Sequence, residues 1–181
     1  LFGHNNKIIK QHITKQLNKI EHVMLAGVTH EAVIKLSRKL SKLTKLSHCS
    51  YGSDGANAVE IALKMSSHYW KRVDLPKKNK FVYLENSYHG ETIGALSVTD
   101  IPIFRKQYAS LMKPYFSISS PDLRLKKVNQ TSEEFIEEKI RLLKILFEDK
   151  HEVISSIIIE PLVQCATGMG IYDSIYLKKV R

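Results

Sequence analysis

The sequence predicts an α/β protein with a mostly parallel sheet flanked by helices. Residues 81–84 and 154–159 form two largely apolar runs of strand length, and each follows a segment with helical periodicity. Strands that are apolar on both faces and alternate with helices are typical of parallel sheets. The chain has 181 residues, of which 43% are hydrophobic and 25% charged, so it has enough apolar material for the core of one domain.

Four segments have the apolar spacing of amphipathic helices. They lie at residues 9–20, 33–43, 59–70 and 136–147. Thr29 is the predicted N-cap of the second segment, while Thr131 and Glu134 give the fourth the pattern of a capping box. The third and fourth segments each precede an apolar strand, which indicates helices that connect parallel strands.

A further strand is predicted at residues 47–53, directly before a turn at Asp54 and Gly55 that opens the third helix. Ligands of parallel sheets bind just outside the carboxyl ends of the strands. Three turns that follow predicted strands are therefore expected to meet at one edge of the sheet and to form a binding site. They lie at residues 54–55, 88–90 and 160–164.

The turn at Gly55 and Ala56 has the features of a phosphate site. A glycine turn that opens a helix leaves backbone N–H groups unpaired beside the positive end of the helix dipole. The same pattern is typical of an ordinary strand-to-helix turn, and spacing alone leaves both interpretations open. No Gly-Lys-Ser/Thr follows, which excludes a P-loop, and Gly168 and Gly170 lack the third glycine of a dinucleotide-binding motif.

The other two turns contain an aromatic ring and titratable groups. Tyr88 can stack on a planar ligand, and it is followed by the imidazole of His89 and the flexible Gly90. A tyrosine that covers the core and a histidine in a surface turn are the alternative interpretation. Glu160 ends a buried strand, so its carboxylate belongs either to a site or to an ion pair with an arginine.

Composition limits the classes of function. The net charge is +10, but the lysines are spread over solvent-facing helix positions without a nucleic-acid-binding motif, so no nucleic acid partner is expected. Cys49 and Cys165 are isolated, which favours a reducing cytoplasm over a disulfide framework. The histidines form no HxxxH or HExxH pair and no apolar run spans a bilayer, so neither a metal site nor a membrane association is expected.

The turns of the predicted site extend into three longer motifs. They are residues 53–64 (SDGANAVEIALK), 88–92 (YHGET) and 159–164 (IEPLVQ). Together they resemble the class III aminotransferase family, which uses pyridoxal 5′-phosphate on the type I fold. The resemblance implies a partial large domain of that fold, with a mostly parallel sheet flanked by helices. It also implies a homodimer, because the sites of this family form between two subunits.

The resemblance implies that Gly55 and Ala56 bind the cofactor phosphate through backbone N–H groups. Family members often have serine or threonine in this turn, where this chain has Asp54 and Ala56. Hydroxyl contacts to the phosphate are therefore lost, and an aspartate repels a dianion unless it points away or pairs with a cation. The backbone donors remain, so a phosphate site is still predicted.

The turn at Tyr88 is implied to contact both cofactor and substrate. Tyr88 would stack on the pyridine ring and border the substrate, with His89 on the cofactor side and Gly90 on the substrate side. Glu160 and Gln164 would line the floor near the polar edge of the ring, and Glu160 would also contact the substrate.

Further residues narrow the resemblance to family members that act in biotin biosynthesis. They are residues 21–30 (EHVMLAGVTH), 64–66 (KMS) and 68–70 (HYW). This implies that S-adenosylmethionine donates the amino group and that 8-amino-7-oxononanoate accepts it. Two alternatives remain open: another ω-amino donor, such as ornithine or 4-aminobutyrate, and a non-catalytic truncated remnant or basic interaction domain.

The resemblance also implies that residues 1–181 lack two functional residues of the family. In the family, the Schiff-base lysine and the aspartate that pairs with the pyridinium nitrogen lie on later strands, and no lysine here has an equivalent context. Residues 1–181 are therefore expected to be the first half of the cofactor-binding large domain. They would contain no catalytic residue and would be inactive alone.

Overall fold

The computed structural model describes every residue from Leu1 to Arg181, and the chain divides into two compact units, Leu1–Ser50 and Tyr51–Arg181. The first unit contains the helices α1 (Lys7–Leu17) and α2 (Glu31–Thr44). None of the helices in the chain is both long and apolar enough to cross a lipid bilayer.

The second unit contains the sheet and the helices around it. Its elements, in chain order, are α3 (Gly55–Arg72), β1 (Lys80–Leu84), α4 (Ile93–Leu96), α5 (Pro102–Arg105), a 3₁₀ helix (Lys106–Leu111), β2 (Phe116–Ile118), a second 3₁₀ helix (Leu123–Leu125), α6 (Ser132–Lys150), β3 (Ile154–Ile158), β4 (Val163–Gln164), β5 (Gly170–Ile171) and α7 (Ser174–Val180).

The start of α2 differs from the prediction. The N-cap is His30, so the prediction of Thr29 is wrong, and no side chain caps the first turn. A carboxylate in that turn complements the helix dipole instead. Glu31 forms ion pairs with Lys35 at 2.5 Å and with Lys19 at 3.1 Å, and these hydrogen bonds lower the pKa of Glu31 to about 2.

β1 is the central strand of a three-stranded parallel sheet with the order β2-β1-β3. Val82 of β1 pairs with Phe116 on one side and with Ile157 on the other. Helices lie in both connections between these strands, as parallel neighbours require. The predicted parallel sheet with flanking helices is therefore confirmed, and residues 81–84 and 154–159 correspond to β1 and β3.

The two faces of β1 belong to two clusters of the core. Phe81 and Tyr83 pack on one face with Leu63 of α3. Val82 and Leu84 pack on the other face with residues of α6 and α7, and all four of these strand residues are at most 4% exposed. The contacts from α6 and α7 are Ile136, Ile140, Leu143 and Tyr176. β1 is therefore covered by helices on both sides.

The predicted helices at residues 59–70 and 136–147 correspond to α3 and α6. The capping box of α6 is also present. The N–H of Glu134 donates to the Thr131 hydroxyl at 3.1 Å, and the N–H of Thr131 donates to the Glu134 carboxylate at 2.8 Å. Both predictions rest on local patterns, which are largely independent of distant contacts.

The strand predicted at residues 47–53 is absent, and that prediction is wrong. This stretch is mostly polar and has no neighbouring strand, whereas an inner strand of a parallel sheet needs apolar residues on both faces. At Gly52 a Cβ atom would lie 3.1 Å from the backbone nitrogen of Ala58. Gly52 therefore lies close to the start of α3 in an irregular stretch of chain.

Replacement of Leu84 by alanine is expected to lower the free energy of unfolding by about 2–5 kcal/mol, because Leu84 is fully buried and its removal leaves a cavity. The matched control is Leu111→Ala in the same unit, where the side chain is 62% exposed and a change within about 0.5 kcal/mol is expected. Urea unfolding followed by circular dichroism measures both. Equal losses in the two variants would contradict the assignment of Leu84 to the core.

Candidate functional site

A cleft of about 690 Å³ lies where the start of α3 meets the turn that follows β1. Its lining residues are Asp54, Gly55, Ala56, Val59, Tyr88, His89, Gly90, Glu91 and Thr92. The third predicted turn is joined to this cleft, because the backbone N–H of Tyr88 donates to the carboxylate of Glu160 at 2.8 Å. The structure thus brings the turns at residues 54–55, 88–90 and 160–164 together, as the sequence predicted.

The helix start at this cleft is capped by Asp54. Its carboxylate accepts a hydrogen bond from the backbone N–H of Asn57 at 2.8 Å and one from the Asn57 side chain at 2.6 Å. These bonds, the backbone one foremost, lower the pKa of Asp54. Asp54 is therefore ionised, and its carboxylate forms hydrogen bonds within its own helix. Gly55, the first helical residue, has open space where a side chain would lie.

Tyr88 is positioned on its turn by contacts at both ends of the side chain. Its ring lies 5.5 Å from the ring of Phe104 in a tilted arrangement, and its hydroxyl donates to Glu91 at 2.9 Å. The hydrogen bond to Glu91 raises the pKa of Tyr88, so the phenol stays protonated at neutral pH. The ring of Tyr88 borders the cleft, where it is available to a planar ligand.

His89 combines a fixed backbone with an unpaired ring nitrogen. Its N–H donates to the Thr99 hydroxyl at 2.9 Å, while its Nε2 is buried and has no hydrogen-bond partner. Burial lowers the pKa of His89 to about 4, so the imidazole is neutral at neutral pH. A buried polar atom without a partner is uncommon in folded proteins, and a ligand in this cleft can supply the missing partner.

Gly90 lies at a close approach between the Tyr88 turn and α3. Its φ is +123°, and a Cβ atom there would lie 2.6 Å from the Cβ of Ala56. A side chain is therefore excluded both by the backbone conformation and by the contact with α3.

Glu160 and Gln164 connect the strand ends by hydrogen bonds to backbone groups. Glu160 accepts from Tyr88, as described, and also from the backbone N–H of Cys165 at 3.0 Å. Gln164 is fully buried: its amide donates to the Glu85 carbonyl at 2.8 Å and accepts from the hydroxyl of Ser120. Gln164 thus lies behind the cleft, and its contact with a cofactor remains a prediction.

Several residues that shape this cleft have no role that the sequence predicts. Glu91 and Thr99 position the Tyr88 turn, and Glu60 of α3 accepts hydrogen bonds from Thr92 and from the start of α4. These partners are between 3 and 34 residues apart in the chain. Periodicity indicates which face of a helix or strand a residue lies on. It cannot predict hydrogen bonds between residues that are distant in the chain.

Comparison with known proteins gives consistent matches over the whole chain. The family described as Aminotransferase class-III matches residues 1–181. The adenosylmethionine-8-amino-7-oxononanoate aminotransferase of Helicobacter pylori is 40% identical over 180 residues, which are 99% of this chain and 39% of the relative. The enzyme of that name from Staphylococcus aureus is 38% identical and is matched over 98% of this chain and 40% of its own length. The chain thus spans about two fifths of these relatives.

Solved structures of similar proteins share the fold. An (S)-enantioselective omega-transaminase from Thermomicrobium roseum has a TM-score of 0.92 at 26% identity, with 99% of this chain and 41% of that one covered. The adenosylmethionine-8-amino-7-oxononanoate aminotransferase of Methanocaldococcus jannaschii has a TM-score of 0.86 at 30% identity, with 99% and 39% covered.

Gly90→Ala is expected to cost about 3 kcal/mol or more of unfolding free energy, because it adds both backbone strain and a clash with Ala56. Gly168→Ala is the control, since Gly168 also has a positive φ but meets no atom closer than 3.7 Å, and about 1–2 kcal/mol is expected there. Adding Ala56→Gly to Gly90→Ala should restore part of the loss. Urea unfolding of the wild type and the three variants tests this. A double variant that is no more stable than Gly90→Ala would refute the close approach of Gly90 to Ala56.

His89 is expected to make stability depend on pH between about 6.5 and 4. The folded-state pKa of His89 is depressed to about 4 from an ordinary value of 6.5. The stability that the neutral imidazole contributes is therefore complete above pH 6.5 and is lost as the pH falls toward 4. The wild type should therefore lose more unfolding free energy than His89→Gln between pH 7 and pH 4. Urea unfolding at a series of pH values measures the difference, and parallel curves for the two proteins would contradict a buried neutral histidine.

Proposed function

The chain belongs to the class III aminotransferase family, and from that premise we propose that the protein transfers the amino group of S-adenosylmethionine to 8-amino-7-oxononanoate. The product is 7,8-diaminononanoate, an intermediate of biotin biosynthesis. The observation that carries this proposal is the cleft between the start of α3 and the Tyr88 turn. The relatives from Helicobacter pylori and Staphylococcus aureus, which are named for this pair of substrates, support the choice.

The family uses pyridoxal 5′-phosphate, and the residues of the cleft fit this group. The helix start at Gly55 is open and presents backbone N–H groups, as an anion site requires. The buried Nε2 of His89 lacks a partner that a polar cofactor can supply, and the Tyr88 ring offers a flat apolar face. When bound, the cofactor supplies an electron sink and carries the amino group between the two substrates.

We propose that the N–H groups of Gly55 and Ala56 bind the phosphate while Asp54 remains turned into its helix. Asp54 accepts two hydrogen bonds from Asn57 and a longer one from the Ser53 hydroxyl at 3.5 Å, and the N–H of Ala56 also helps to lower its pKa, so its charge is partly offset by those donors. A negative side chain beside a phosphate still weakens binding, and no lysine or arginine lines the cleft to offset it. The contribution of residues 1–181 to phosphate binding therefore comes from the helix start and from neutral hydrogen-bond donors.

The remaining assignments follow the same proposal. Tyr88 lies against the pyridine ring and borders the substrate, with Gly90 and Glu160 on the substrate side and His89 and Gln164 on the cofactor side. Glu160 acts from behind the turn, since both of its oxygens accept backbone N–H groups. Hydrogen bonds to Tyr88 and Cys165 fix the backbone on which these contacts depend.

We further propose that residues 1–181 form the first half of the cofactor-binding large domain of a cytoplasmic homodimer. The matched relatives are about two and a half times as long as this chain. The Schiff-base lysine, which also moves the proton during transfer, is proposed to come from the part of the family fold outside these residues. These residues alone are then expected to be inactive.

A second candidate is transfer from another amino donor. It is favoured by the close structural match to the omega-transaminase of Thermomicrobium roseum, which has the higher TM-score but the lower identity of the two structures described. The fold is shared by both types of enzyme, so the structural match supports the reaction class more than the donor.

Full-length protein loaded with pyridoxal 5′-phosphate is expected to form 7,8-diaminononanoate from 8-amino-7-oxononanoate when S-adenosylmethionine is present. Mass spectrometry of the product measures this, with ornithine and 4-aminobutyrate as competing donors and a reaction without acceptor as the control. Product from 4-aminobutyrate but none from S-adenosylmethionine would replace the first candidate by the second. Absence of amino transfer from every donor would refute the proposal.

A further inference from the structure

Glu60 of α3 accepts three hydrogen bonds from the segment that follows the cleft. One oxygen of its carboxylate, Oε1, accepts from the Thr92 hydroxyl at 2.7 Å, from the N–H of Gly94 at 2.8 Å and from the N–H of Ala95 at 3.3 Å. The side chain is half-buried and no cationic side chain forms an ion pair with it. All three partners are therefore neutral donors from one short stretch of the chain.

These donors include the first N–H groups of α4, which have no acceptor within their own helix. The N-cap residue of α4, Thr92, makes no side-chain bond to that helix, and its hydroxyl points to Glu60 instead. Glu60 thus caps α4 from a different helix, more than thirty residues away in the chain. A charged acceptor at a helix start is favourable because of the helix dipole.

The position of Glu60 relates this cap to the cleft. Ala56, one turn earlier on the same face of α3, contacts Gly90, while Glu60 contacts Thr92 and Gly94. At Gly94 a Cβ atom would collide with the carboxylate of Glu60, so a larger residue there would displace that side chain. The turn of residues 88–92 is therefore attached to α3 at two successive points, and the cleft lies beside them.

We propose that Glu60 is a positioning residue that holds the turn of residues 88–92 against the start of α3 and so fixes the width of the cleft. It does not line the cleft itself, and it acts through Thr92 and the start of α4. The inference rests on the proposed function in one respect, because the cleft width is taken to matter for pyridoxal 5′-phosphate. The attachment of the turn follows from the hydrogen bonds alone.

The geometry distinguishes the three informative substitutions of Glu60. Because every bond goes to Oε1, the carbonyl oxygen of Glu60→Gln can accept all three and should preserve the attachment. Glu60→Asp is one methylene shorter and cannot reach, and Glu60→Ala removes the acceptor. Glu148→Ala is the matched control, since Glu148 is an exposed glutamate in the last turn of α6 whose carboxylate forms no hydrogen bond or ion pair.

Hydrogen exchange of the full-length protein without cofactor is expected to show faster exchange at the amides of Gly94 and Ala95 in Glu60→Ala and Glu60→Asp. Glu60→Gln and Glu148→Ala should resemble the wild type. Thr92→Val, which loses only one donor, should give a smaller effect and should add little to Glu60→Ala, since the two changes remove the same contact. Unchanged exchange in both Glu60→Ala and Glu60→Asp would overturn the inference.

Titration with pyridoxal 5′-phosphate is the second readout. Glu60→Ala is expected to bind it about tenfold more weakly and Glu60→Gln within about threefold of the wild type. A purely structural role would lower the unfolding free energy and leave the affinity of the folded protein unchanged, which would overturn the positioning role. If Glu60→Ala does not fold, Glu60→Asp and Thr92→Val give the same comparison.

The two readouts separate this inference from the proposed function. A wild type that fails to bind pyridoxal 5′-phosphate would refute the proposed function, while the exchange at Gly94 and Ala95 would still decide whether Glu60 fixes the turn. A wild type that binds it, with Glu60→Ala equal in affinity, would refute the inference and leave the proposed function in place.

Discussion

The burial of β1 on both faces is the constraint on which the rest of the second unit depends. Val82 and Leu84 are fully buried; Val82 pairs with parallel neighbours on both sides and Leu84 pairs with Ile118 of β2, so the chain leaves the core at the carboxyl end of the strand. The chain emerges there as the turn that contains Tyr88. The backbone groups of this turn have no strand ladder to join, and unpaired groups next to the core are costly. The turn therefore requires partners from elsewhere in the fold.

Side chains from two other segments provide those partners. Glu160 and Gln164 follow β3 and bind the N–H of Tyr88 and the carbonyl of Glu85, while Thr99 binds the N–H of His89. The carboxylate of Glu160 and the hydroxyl of Thr99 accept these bonds, and the amide of Gln164 donates. All three groups lie in or beside the core, where hydrogen bonds are least exposed to competition from water. A turn bound in this way keeps Tyr88 and His89 in fixed positions. Glu160, Gln164 and Thr99 thus stabilise the turn that contains Tyr88 and His89.

The sequence predicted the parts of this structure that depend on local pattern. β1, β3 and the helices α3 and α6 follow from apolar periodicity, and their turns were expected at one edge because parallel strands share that edge. The prediction of a strand at residues 47–53 is wrong because these mostly polar residues cannot form the two apolar faces of an inner strand. The prediction of Thr29 as an N-cap is wrong because the helix start is stabilised instead by Glu31 and its ion pairs with Lys19 and Lys35. Contacts such as Glu60 with Thr92 join distant segments, and no local pattern encodes them.

The charge of the cleft explains why the strongly basic composition says little about the site. The chain has a net charge of +10, yet the cleft is lined by the carboxylates of Asp54 and Glu91 and by no lysine or arginine. His89 adds no positive charge, because burial keeps it neutral. Within residues 1–181, the donors that this cleft offers to an anionic group are the directed N–H groups at the helix start, whose strength falls off steeply with distance and angle. Because such donors act only at short range, the contacts between α3 and the Tyr88 turn, which set the spacing of the cleft walls, bear directly on what the cleft can bind.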